Sequence, residues 1–353
     1  MLLKFKNRNR KGWAAIVLVI LAAGILTACN SDKNESFEAD GFAMGTVISQ
    51  KVYGVKGQAV MDEVMEKINY LDGLLTFNAP EGDIFNLNQN AGIKNVELNP
   101  ETVKIIKKAQ QVSELSNGAF DVTIGPVVKS WGIGTEQEHI PGNEELQKLL
   151  SLVNYQDIYI NESSVGLKRA GQMVDLGGIA KGYAGDVAKE IYKEKGIHSA
   201  YINLGGNVVT VGNKPDGSPW KAGIRNPRPV GQQSGQVVGI VKVTDKAVVT
   251  AGDEQRYFEK DGQRYHHILD PKTGYPAKSD LMSVTLVTDS SLEADALDTA
   301  VFILGLEKGK ELLRQYGGVE AVFITTDKKI YVTEGLKGNF EFHDESKQFE
   351  YIE

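Results

Sequence analysis

Two aspartates and a threonine interrupt an otherwise apolar helical segment near the C-terminal end of the sequence. The segment SSLEADALDTAVFILG (290–305) has apolar residues at helical spacing, with Asp295, Asp298 and Thr299 among them. Residues three and four positions apart lie on one side of a helix, so these side chains form one ridge of oxygen atoms. Taken alone, the segment favours a ridge that faces water, because the helix dipole stabilises carboxylates in the first turns. A binding role depends on what the fold brings near the ridge.

A glycine turn at the start of another helix could bind phosphate. The stretch VDLGGIAKGYAGD (174–186) predicts a strand that ends at Leu176, a turn through Gly177 and Gly178, and a helix with Lys181 in its first turn. Such a turn offers unpaired N–H groups and the positive end of the helix dipole, and the lysine adds a full charge. A plain connecting turn is the alternative. Neither a Walker A sequence nor a GxGxxG motif at a strand-to-helix turn is present.

Two further segments carry polar residues that could serve a site. In RYHHILDPKTGYPA (264–277), alternation places His267 and Leu269 on one face of a strand and His266 on the other, before a tight turn at 270–274. Asp121 lies in an otherwise apolar segment with glycine and proline nearby, where it predicts a capped turn. Each residue is compatible with a structural role when its segment is considered alone.

The elements that must position these residues follow an α+β pattern. Ser290 and Glu293 fit a capping box at the start of the ridge helix, and Gly305 predicts its end. Helical periodicity predicts further helices within 59–75, 101–118, 142–153 and 179–196, and alternation predicts strands within 46–54, 156–163, 164–171, 200–212, 220–227, 236–252, 264–270, 281–289 and 320–335. Many strands pair over short turns and the helices come in blocks, which predicts mixed, largely antiparallel sheets with packed helices.

The N-terminus predicts an exported lipoprotein. A basic start and an apolar run too short to span a bilayer comfortably are typical of a signal peptide, residues 1–28. Leu26-Thr27-Ala28-Cys29 resembles a lipobox, which implies cleavage before Cys29 and lipid on its sulfur; an uncleaved anchor is the alternative. Residues 29–40 then predict a lipidated cysteine with a flexible tether, 41–345 the folded domain and 346–353 a C-terminal tail.

Charge and cysteine content limit the classes of function. Loss of residues 1–28, which hold five basic residues and no acidic one, lowers the formal net charge from −7 to −12. An acidic domain is repelled by nucleic acid and by anionic lipid, so we expect no nucleic-acid partner and a membrane contact only through the lipid at Cys29. Because Cys29 is the one cysteine, the domain lacks disulfides and cysteine metal sites.

Together the motifs closely resemble the ApbE family of FAD:protein FMN transferases. The segments AFD, DLGGIAKGYAGD, INLGGNVVTVG, HHILDPKTGYP and EADALDTA occur in the family's order, and the similarity runs from about Phe42 to about residue 335. The resemblance implies the family's fold, which is related to tandem T-fold domains. It also implies cofactor-binding residues, namely Met44, Phe77, Ala119, Phe120, Asp121, Asp175, Lys181 and Leu269, and metal ligands, namely Gly178 through its carbonyl, Asp295, Asp298 and Thr299.

The implied reaction is phosphoryl transfer with FAD as the substrate. A threonine or serine hydroxyl of an exported acceptor protein, typically a redox or electron-transfer protein with a D-x-x-T-G-A-T motif, attacks the FMN-side phosphorus, and AMP leaves. Hard oxygen donors such as those of the ridge suit Mg²⁺, with Mn²⁺ as the other metal considered. His267 and Asp298 are the expected catalytic residues, His267 because its usual pKa suits proton acceptance.

Departures from the family pattern leave alternatives. Phe77 stands where tyrosine is common, so it can stack on a ring but cannot donate a hydrogen bond, and Asp83 stands where serine is usual. Tyr275 and Pro276 interrupt the partial acceptor motif around Thr273, so we do not expect self-modification. A FAD pyrophosphatase that releases FMN and AMP, a lipoprotein that stores flavin, and a transport receptor remain alternatives.

Overall fold

The computed structural model describes residues 35–77, 79–229 and 235–352. The predicted leader, Cys29 and the first residues of the predicted tether lie outside the described residues. Within the described ranges, no helix is both long enough and apolar enough to cross a bilayer.

Helices and strands are distributed along the whole described chain. The helices are α1 Gly57–Leu75, α2 Asp83–Gln89, α3 Pro100–Leu115, α4 Gly125–Trp131, α5 Asn143–Leu150, α6 Ala180–Glu194 and α7 Ser291–Tyr316. The strands are β1 Ser36–Ala43, β2 Thr46–Tyr53, β3 Val96–Glu97, β4 Ile158–Asn161, β5 Ser164–Leu167, β6 Ala200–Leu204, β7 Asn207–Val211, β8 Trp220–Arg225, β9 Val237–Val243, β10 Ala247–Gly252, β11 Tyr257–Lys260, β12 Gln263–His266, β13 Leu281–Thr288, β14 Glu320–Thr325, β15 Lys329–Val332, β16 Phe340–Phe342 and β17 Glu350–Ile352.

A nine-stranded sheet organises the fold, in the order β1-β2-β6-β7-β10-β13-β14-β15-β17. Its neighbouring strands are antiparallel, except that β15 and β17 are parallel. Helices α1, α6 and α7 pack on one face of this sheet, where the largest apolar core lies. The predicted α+β class with largely antiparallel sheets is therefore confirmed.

A three-stranded sheet, β16-β9-β8, covers part of the opposite face. Its two outer strands mark how far this second layer extends. The Phe340 ring of β16 packs against Tyr351 of β17, with ring centroids 5.6 Å apart. At the other side, Trp220 of β8 packs edge-on against Tyr201 of β6, with centroids 5.3 Å apart. The second layer therefore extends from β17 to β6.

Both ends of the described domain extend beyond the predicted limits. Strand β1 begins at Ser36 and pairs with β2 along its length, so residues 36–40 belong to the folded domain and not to the flexible tether. At the other end, Phe349 is buried and β17 pairs with β15, so the segment predicted as a tail completes the sheet. Apolar and polar residues alternate over Phe37-Glu38-Ala39-Asp40, but the polar, charged composition of this stretch led to its assignment to the tether.

The ridge helix α7 begins as predicted but its cap differs in detail. The Ser290 hydroxyl accepts a hydrogen bond from the Glu293 N–H, 3.4 Å, whereas the Glu293 carboxylate pairs with Lys108, 2.8 Å. The first N–H groups of the helix are bound by the Asp186 carboxylate of α6, which accepts from Ser291 at 2.7 Å and Leu292 at 3.1 Å. Helix α7 is interrupted at the predicted glycine, residue 305, because the φ of 78° at that position is not helical. The helix then continues beyond this residue to Tyr316.

Helices α6 and α7 cross at a very short distance. A Cβ at Gly182 would lie 2.6 Å from the Asp295 Cβ of α7, and a Cβ at Gly185 would lie 3.1 Å from the Ser291 hydroxyl of α7 and 2.8 Å from Val209 of β7. Only glycine therefore permits this crossing, which fixes the start of α6 against the ridge.

Two predicted strands differ from the expectation: one is absent and the other is shorter. Residues 174–176 form no strand: the Val174 backbone is hydrogen-bonded to the Asn88 side chain, and the Asp175 N–H donates to the Val122 carbonyl, 2.7 Å. The backbone groups of this segment are therefore hydrogen-bonded to separate parts of the chain and not to a neighbouring strand. Strand β12 ends at His266, so the predicted alternation over 264–270 is wrong beyond that residue. The tight turn that follows is present, since the Gly274 N–H donates to the Asp270 carbonyl.

Candidate active site

The predicted site residues line one cavity of about 1300 Å³. It lies at the end of the nine-stranded sheet where the β1–β2 and β6–β7 turns meet the starts of α6 and α7. The cavity is larger than a typical drug-sized pocket, so it has room for a dinucleotide. Its lining includes Met44, Phe77, Ala119, Phe120, Asp121, Asp175, Gly178, Lys181, His267, Leu269, Asp295, Asp298 and Thr299.

Asp295 is buried and bound on both carboxylate oxygens. Oδ2 accepts a hydrogen bond from the Gly182 N–H, 2.8 Å, and Oδ1 accepts from the Asn207 side chain, 2.7 Å. The Lys181 ammonium lies 3.4 Å from Oδ1. These donors stabilise the ionised carboxylate in a buried position.

Asp298 is equally buried but has weaker support. The Thr299 hydroxyl donates to its Oδ1 at 3.3 Å. Burial and the neighbouring Asp295 charge raise the pKa of Asp298 well above its ordinary range, and Lys181 only partly opposes them. Two carboxylates close together in a buried place are costly unless a cation joins them.

The glycine turn approaches the ridge closely. A Cβ at residue 178 would lie 3.5 Å from the Thr299 hydroxyl and 3.3 Å from the Phe120 ring, so Gly178 leaves the space between them open. The side-chain donors here are two carboxylates and a hydroxyl, and the family resemblance implies the carbonyl of Gly178 as a fourth. Across the described ranges, no group of three or more His, Cys, Asp and Glu side chains could hold a metal. An oxygen-only set that includes a hydroxyl and a carbonyl fits a hard cation such as Mg²⁺.

Lys181 and Asp175 extend the site along the turn. The Lys181 ammonium donates to the Gly177 carbonyl, 3.2 Å, and it remains part-exposed at the cavity. The Gly177 N–H donates to Asp175 Oδ1, 2.8 Å. Burial raises the pKa of Asp175, while that hydrogen bond, Lys181 and Arg256 act in the opposite direction.

The Ala119–Asp121 segment is ordered by its aspartate. Asp121 Oδ1 accepts from the N–H and the hydroxyl of Thr123, at 2.8 and 2.6 Å, and Oδ2 accepts from the Tyr155 N–H at 2.9 Å. Burial raises the pKa of Asp121, and these hydrogen bonds oppose the rise. The predicted capped turn is therefore present, and it holds Phe120 in the cavity wall.

His267 has a defined tautomer. Its Nδ1 lies 3.2 Å from the Arg256 carbonyl oxygen, which can only accept, so Nδ1 carries the proton and Nε2 keeps a free lone pair. Burial, together with the positive charge of Arg256, lowers the pKa of His267 to about 4. The imidazole is therefore neutral at pH 7.

Sequence reasoning missed three residues that support the site. Asn207 binds Asp295, and Arg256 lines the cavity and donates to the Gly45 carbonyl, 3.1 Å. Asp72 accepts from the Met44 N–H, 2.8 Å, and holds that residue at a φ of 51°. A methionine is uncommon at positive φ, so its side chain rather than its backbone preference explains its place at the cavity. That positive φ could not be inferred from the sequence.

Comparison with known proteins identifies similar chains. The model of the ApbE family matches residues 44–323. A FAD:protein FMN transferase of Klebsiella pneumoniae is 35% identical over 302 residues, which is 85% of this chain and 92% of that protein. One of Treponema pallidum is 33% identical over 343 residues, which is 92% of this chain and 94% of that protein.

Solved structures are similar as well. The crystal structure of the ApbE protein from Thermotoga maritima has a TM-score of 0.79 and 31% identity, and the match covers 86% of this chain and 99% of that chain. The flavin transferase ApbE from Vibrio cholerae has a TM-score of 0.77 and 27% identity over the same shares.

Proposed function

Because the chain belongs to the ApbE family, we propose that it transfers FMN from FAD to a threonine or serine hydroxyl of an exported acceptor protein and releases AMP. The observation that carries this proposal is the junction of the glycine turn with the ridge. Lys181 and the start of α6 meet two buried carboxylates in one cavity of dinucleotide size. A flavin store has no need for such a cluster.

We propose that Mg²⁺ is held by Asp295, Asp298, Thr299 and the carbonyl of Gly178. When bound, it would reduce the negative charge on the phosphates and on the departing AMP. The raised pKa of Asp298 supports this assignment, since a cation at this position would favour the ionised carboxylate. Mn²⁺ has the same ligand preferences.

The protein's own groups position the reactants. Lys181 and the Gly178 N–H would bind the pyrophosphate, since the Gly177 N–H of the same turn is bound to the Asp175 carboxylate. The acceptor oxygen forms a bond to the FMN-side phosphorus while the bond from that phosphorus to the bridging oxygen breaks, and AMP keeps that oxygen. His267 Nε2 is free to take the hydroxyl proton.

We expect the transfer rate to have an acid limb set by His267. Its pKa of about 4 means that it accepts protons at neutral pH and loses this ability only as the pH falls through about 4, well below the usual histidine range. The measurement is the rate of acceptor labelling between pH 3.5 and 8 under FAD saturation. His267→Asn should lower the rate and remove that limb; an unchanged profile in the variant would assign the limb to another group.

The central experiment separates transfer from hydrolysis and storage. The full-length protein in detergent is incubated with FAD and Mg²⁺, with and without a protein carrying a D-x-x-T-G-A-T segment. We expect flavin fluorescence on the acceptor band of a denaturing gel, with AMP in equal amount. An acceptor with Thr→Ala at the modified position serves as the control and should remain unlabelled.

Other outcomes of that experiment would overturn the proposal. FMN and AMP released at the same rate without acceptor would identify a pyrophosphatase. Intact FAD in every mixture would leave a flavin-binding lipoprotein.

We further propose that the protein is exported and anchored by lipid on Cys29, on the outer side of the bacterial cell membrane. We expect Cys29→Ala to abolish lipidation, so that the protein either leaves the membrane fraction or keeps its leader. Fractionation and the mass of the N-terminal fragment measure this. Ser31→Ala, two residues further along, is the matched control and should behave as the wild type. Identical fractionation and mass for the Cys29 variant would contradict the anchor.

A further inference from the structure

The second sheet layer ends at β8, and the edge of that strand is open. Strand β8 pairs with β9 on one side, and no other strand of the described residues pairs with its other side. Trp220 of β8 lies over Tyr201 of β6 and Tyr53 of β2, with ring centroids 5.3 and 6.2 Å apart. Beyond this line, no strand in the described part of the chain covers the same face of β1 and β2.

This open edge borders the candidate active-site cavity. Five of the six β8 residues line it, including Lys221 and Ala222, which are neighbours in the strand. Side chains of neighbouring residues in a strand point to opposite faces of the sheet. Residues from both faces of β8 therefore line the cavity. The backbone edge itself faces the cavity, with its N–H and C=O groups available to a further strand.

The uncovered floor beside this edge is apolar near the cavity. Phe42 and Val47 are directly paired across the β1–β2 hairpin, and their exposed fractions are 70% and 57%. They flank the Met44-Gly45 turn, which lines the cavity. A large apolar pair that remains exposed next to a turn of the cavity that β8 also lines is a candidate interaction site.

The far end of β8 also has an unused polar group. Glu254 lies in the turn that follows β10, and its Oε2 is buried without a hydrogen-bond partner among the described residues. Burial raises the pKa of Glu254 to about 6, and Arg228 and Arg225 oppose the rise. Because Arg225 is the last residue of β8, its effect on Glu254 places this carboxylate near that end of the strand, where both residues line the cavity. A donor from a bound chain could satisfy it.

We propose that an extended segment of the acceptor protein binds as an additional strand along the open edge of β8, over Phe42 and Val47, and so delivers its hydroxyl group to the cavity. This inference rests on the proposed transferase function. Backbone hydrogen bonds to β8 would supply affinity, and alternate side chains would supply specificity. The continuity of the edge with the cavity favours the acceptor over other occupants.

The two faces of the site define the chemistry of this segment. At the cavity end its side chains that point to the sheet should be small or apolar, because they meet Phe42 and Val47. Farther along they should be polar, because the same face carries Asp40, Ser49 and the Glu38–Lys51 ion pair. Its outward side chains should include acidic residues, because Lys221 and Arg225 are exposed on the outer side of β8. The hydroxyl residue should stand at the end next to Glu254.

Kinetics of the full-length protein test the apolar floor. With FAD saturating, Phe42→Glu should raise the KM for the acceptor about tenfold and leave the kcat for transfer near the wild-type value. Ile93→Glu is the matched control, since Ile93 is 75% exposed and lies away from β8; it should leave both constants unchanged. Equal KM values for the two variants would overturn the inference.

Amide hydrogen exchange tests the strand itself. The acceptor carries Thr→Val at the modified position, so that it binds without reacting. At saturation it should slow exchange of alternate amides in 221–225 and leave β16, the other outer strand of the same sheet, unchanged. The inference is overturned if the acceptor does not change amide exchange in β8. It is also overturned if β8 is already protected in the enzyme alone, either by the enzyme's own N-terminal segment or, with protection that depends on enzyme concentration, by a second copy of the chain. If the wild type labels no acceptor at all, the proposed function fails instead.

Discussion

Asp298→Asn should reduce FMN transfer at least about 100-fold while making the metal-free protein more stable. The activity falls because asparagine has no charge with which to bind the proposed cation. A carboxylate whose pKa is raised in the folded state destabilises that state once the pH exceeds the pKa of the same group in the unfolded chain. The stability of the variant rises because the neutral asparagine side chain removes this penalty. In EDTA at pH 7.5, the midpoint of thermal unfolding should rise by about 2 to 4 °C.

The same measurement with metal provides the complementary result. Mg²⁺ with FAD should raise the unfolding midpoint of the wild type and leave that of Asp298→Asn nearly unchanged. Glu293→Gln is the matched control on the same helix, because its part-exposed pair with Lys108 contributes little to stability. Full activity in the Asp298 variant, or in wild type treated with EDTA, would refute the proposed metal role.

Asp295→Ala should lose activity to a similar extent but should also lose stability. The change leaves the Gly182 N–H and the Asn207 amide without their buried acceptor, and each such group costs about 1–3 kcal/mol. The free energy of unfolding from urea denaturation, measured without metal, should therefore fall. The free energy of unfolding of Asp295→Asn should lie between those of the wild type and Asp295→Ala, since its one amide oxygen can accept from the Gly182 N–H.

The opposite signs of these two effects on stability are the sharpest consequence of the site's geometry. Both aspartates are on one ridge and equally buried, yet one is bound by three donors and the other mainly faces the cavity. If both variants were destabilised equally, the buried pair would be structural and its proposed role as a ligand set would be unsupported.

The sequence was sufficient for features that depend on short spacing. The ridge follows from positions three and four apart in α7, and the glycine turn with Lys181 follows from neighbouring residues. Long strands such as β13 could be predicted because apolar and β-branched residues run through its eight positions, all of which are buried. The β1 strand alternates as well, but its charged first residues continue the polar composition of the predicted tether and were assigned to it.

Features that depend on distant contacts could not be predicted. Asn207 meets Asp295 across 88 positions and Asp186 caps Ser291 across 105, so neither role leaves a local pattern. The lowered pKa of His267 likewise depends on burial beside Arg256, whereas the sequence suggested an ordinary value. The prediction of a strand that ends at Leu176 was wrong for the same reason. The backbone of that segment is hydrogen-bonded to a distant side chain and to a single distant carbonyl, and not to a neighbouring strand.

The glycine contacts at the start of α6 have a consequence for which ion the proposed metal site would accept. Gly182 lies against Asp295 of α7 and Gly185 against Val209 of β7, in both cases with no room for a methyl group. Since both helices also pack on the nine-stranded sheet, the glycine turn before α6 and the three proposed ligands on α7 are held at a short, fixed separation. Calcium takes more ligands at longer distances and tolerates irregular geometry, whereas magnesium requires short, regular ones. The tight crossing would thus discriminate between the two ions by radius, although both carry the same charge.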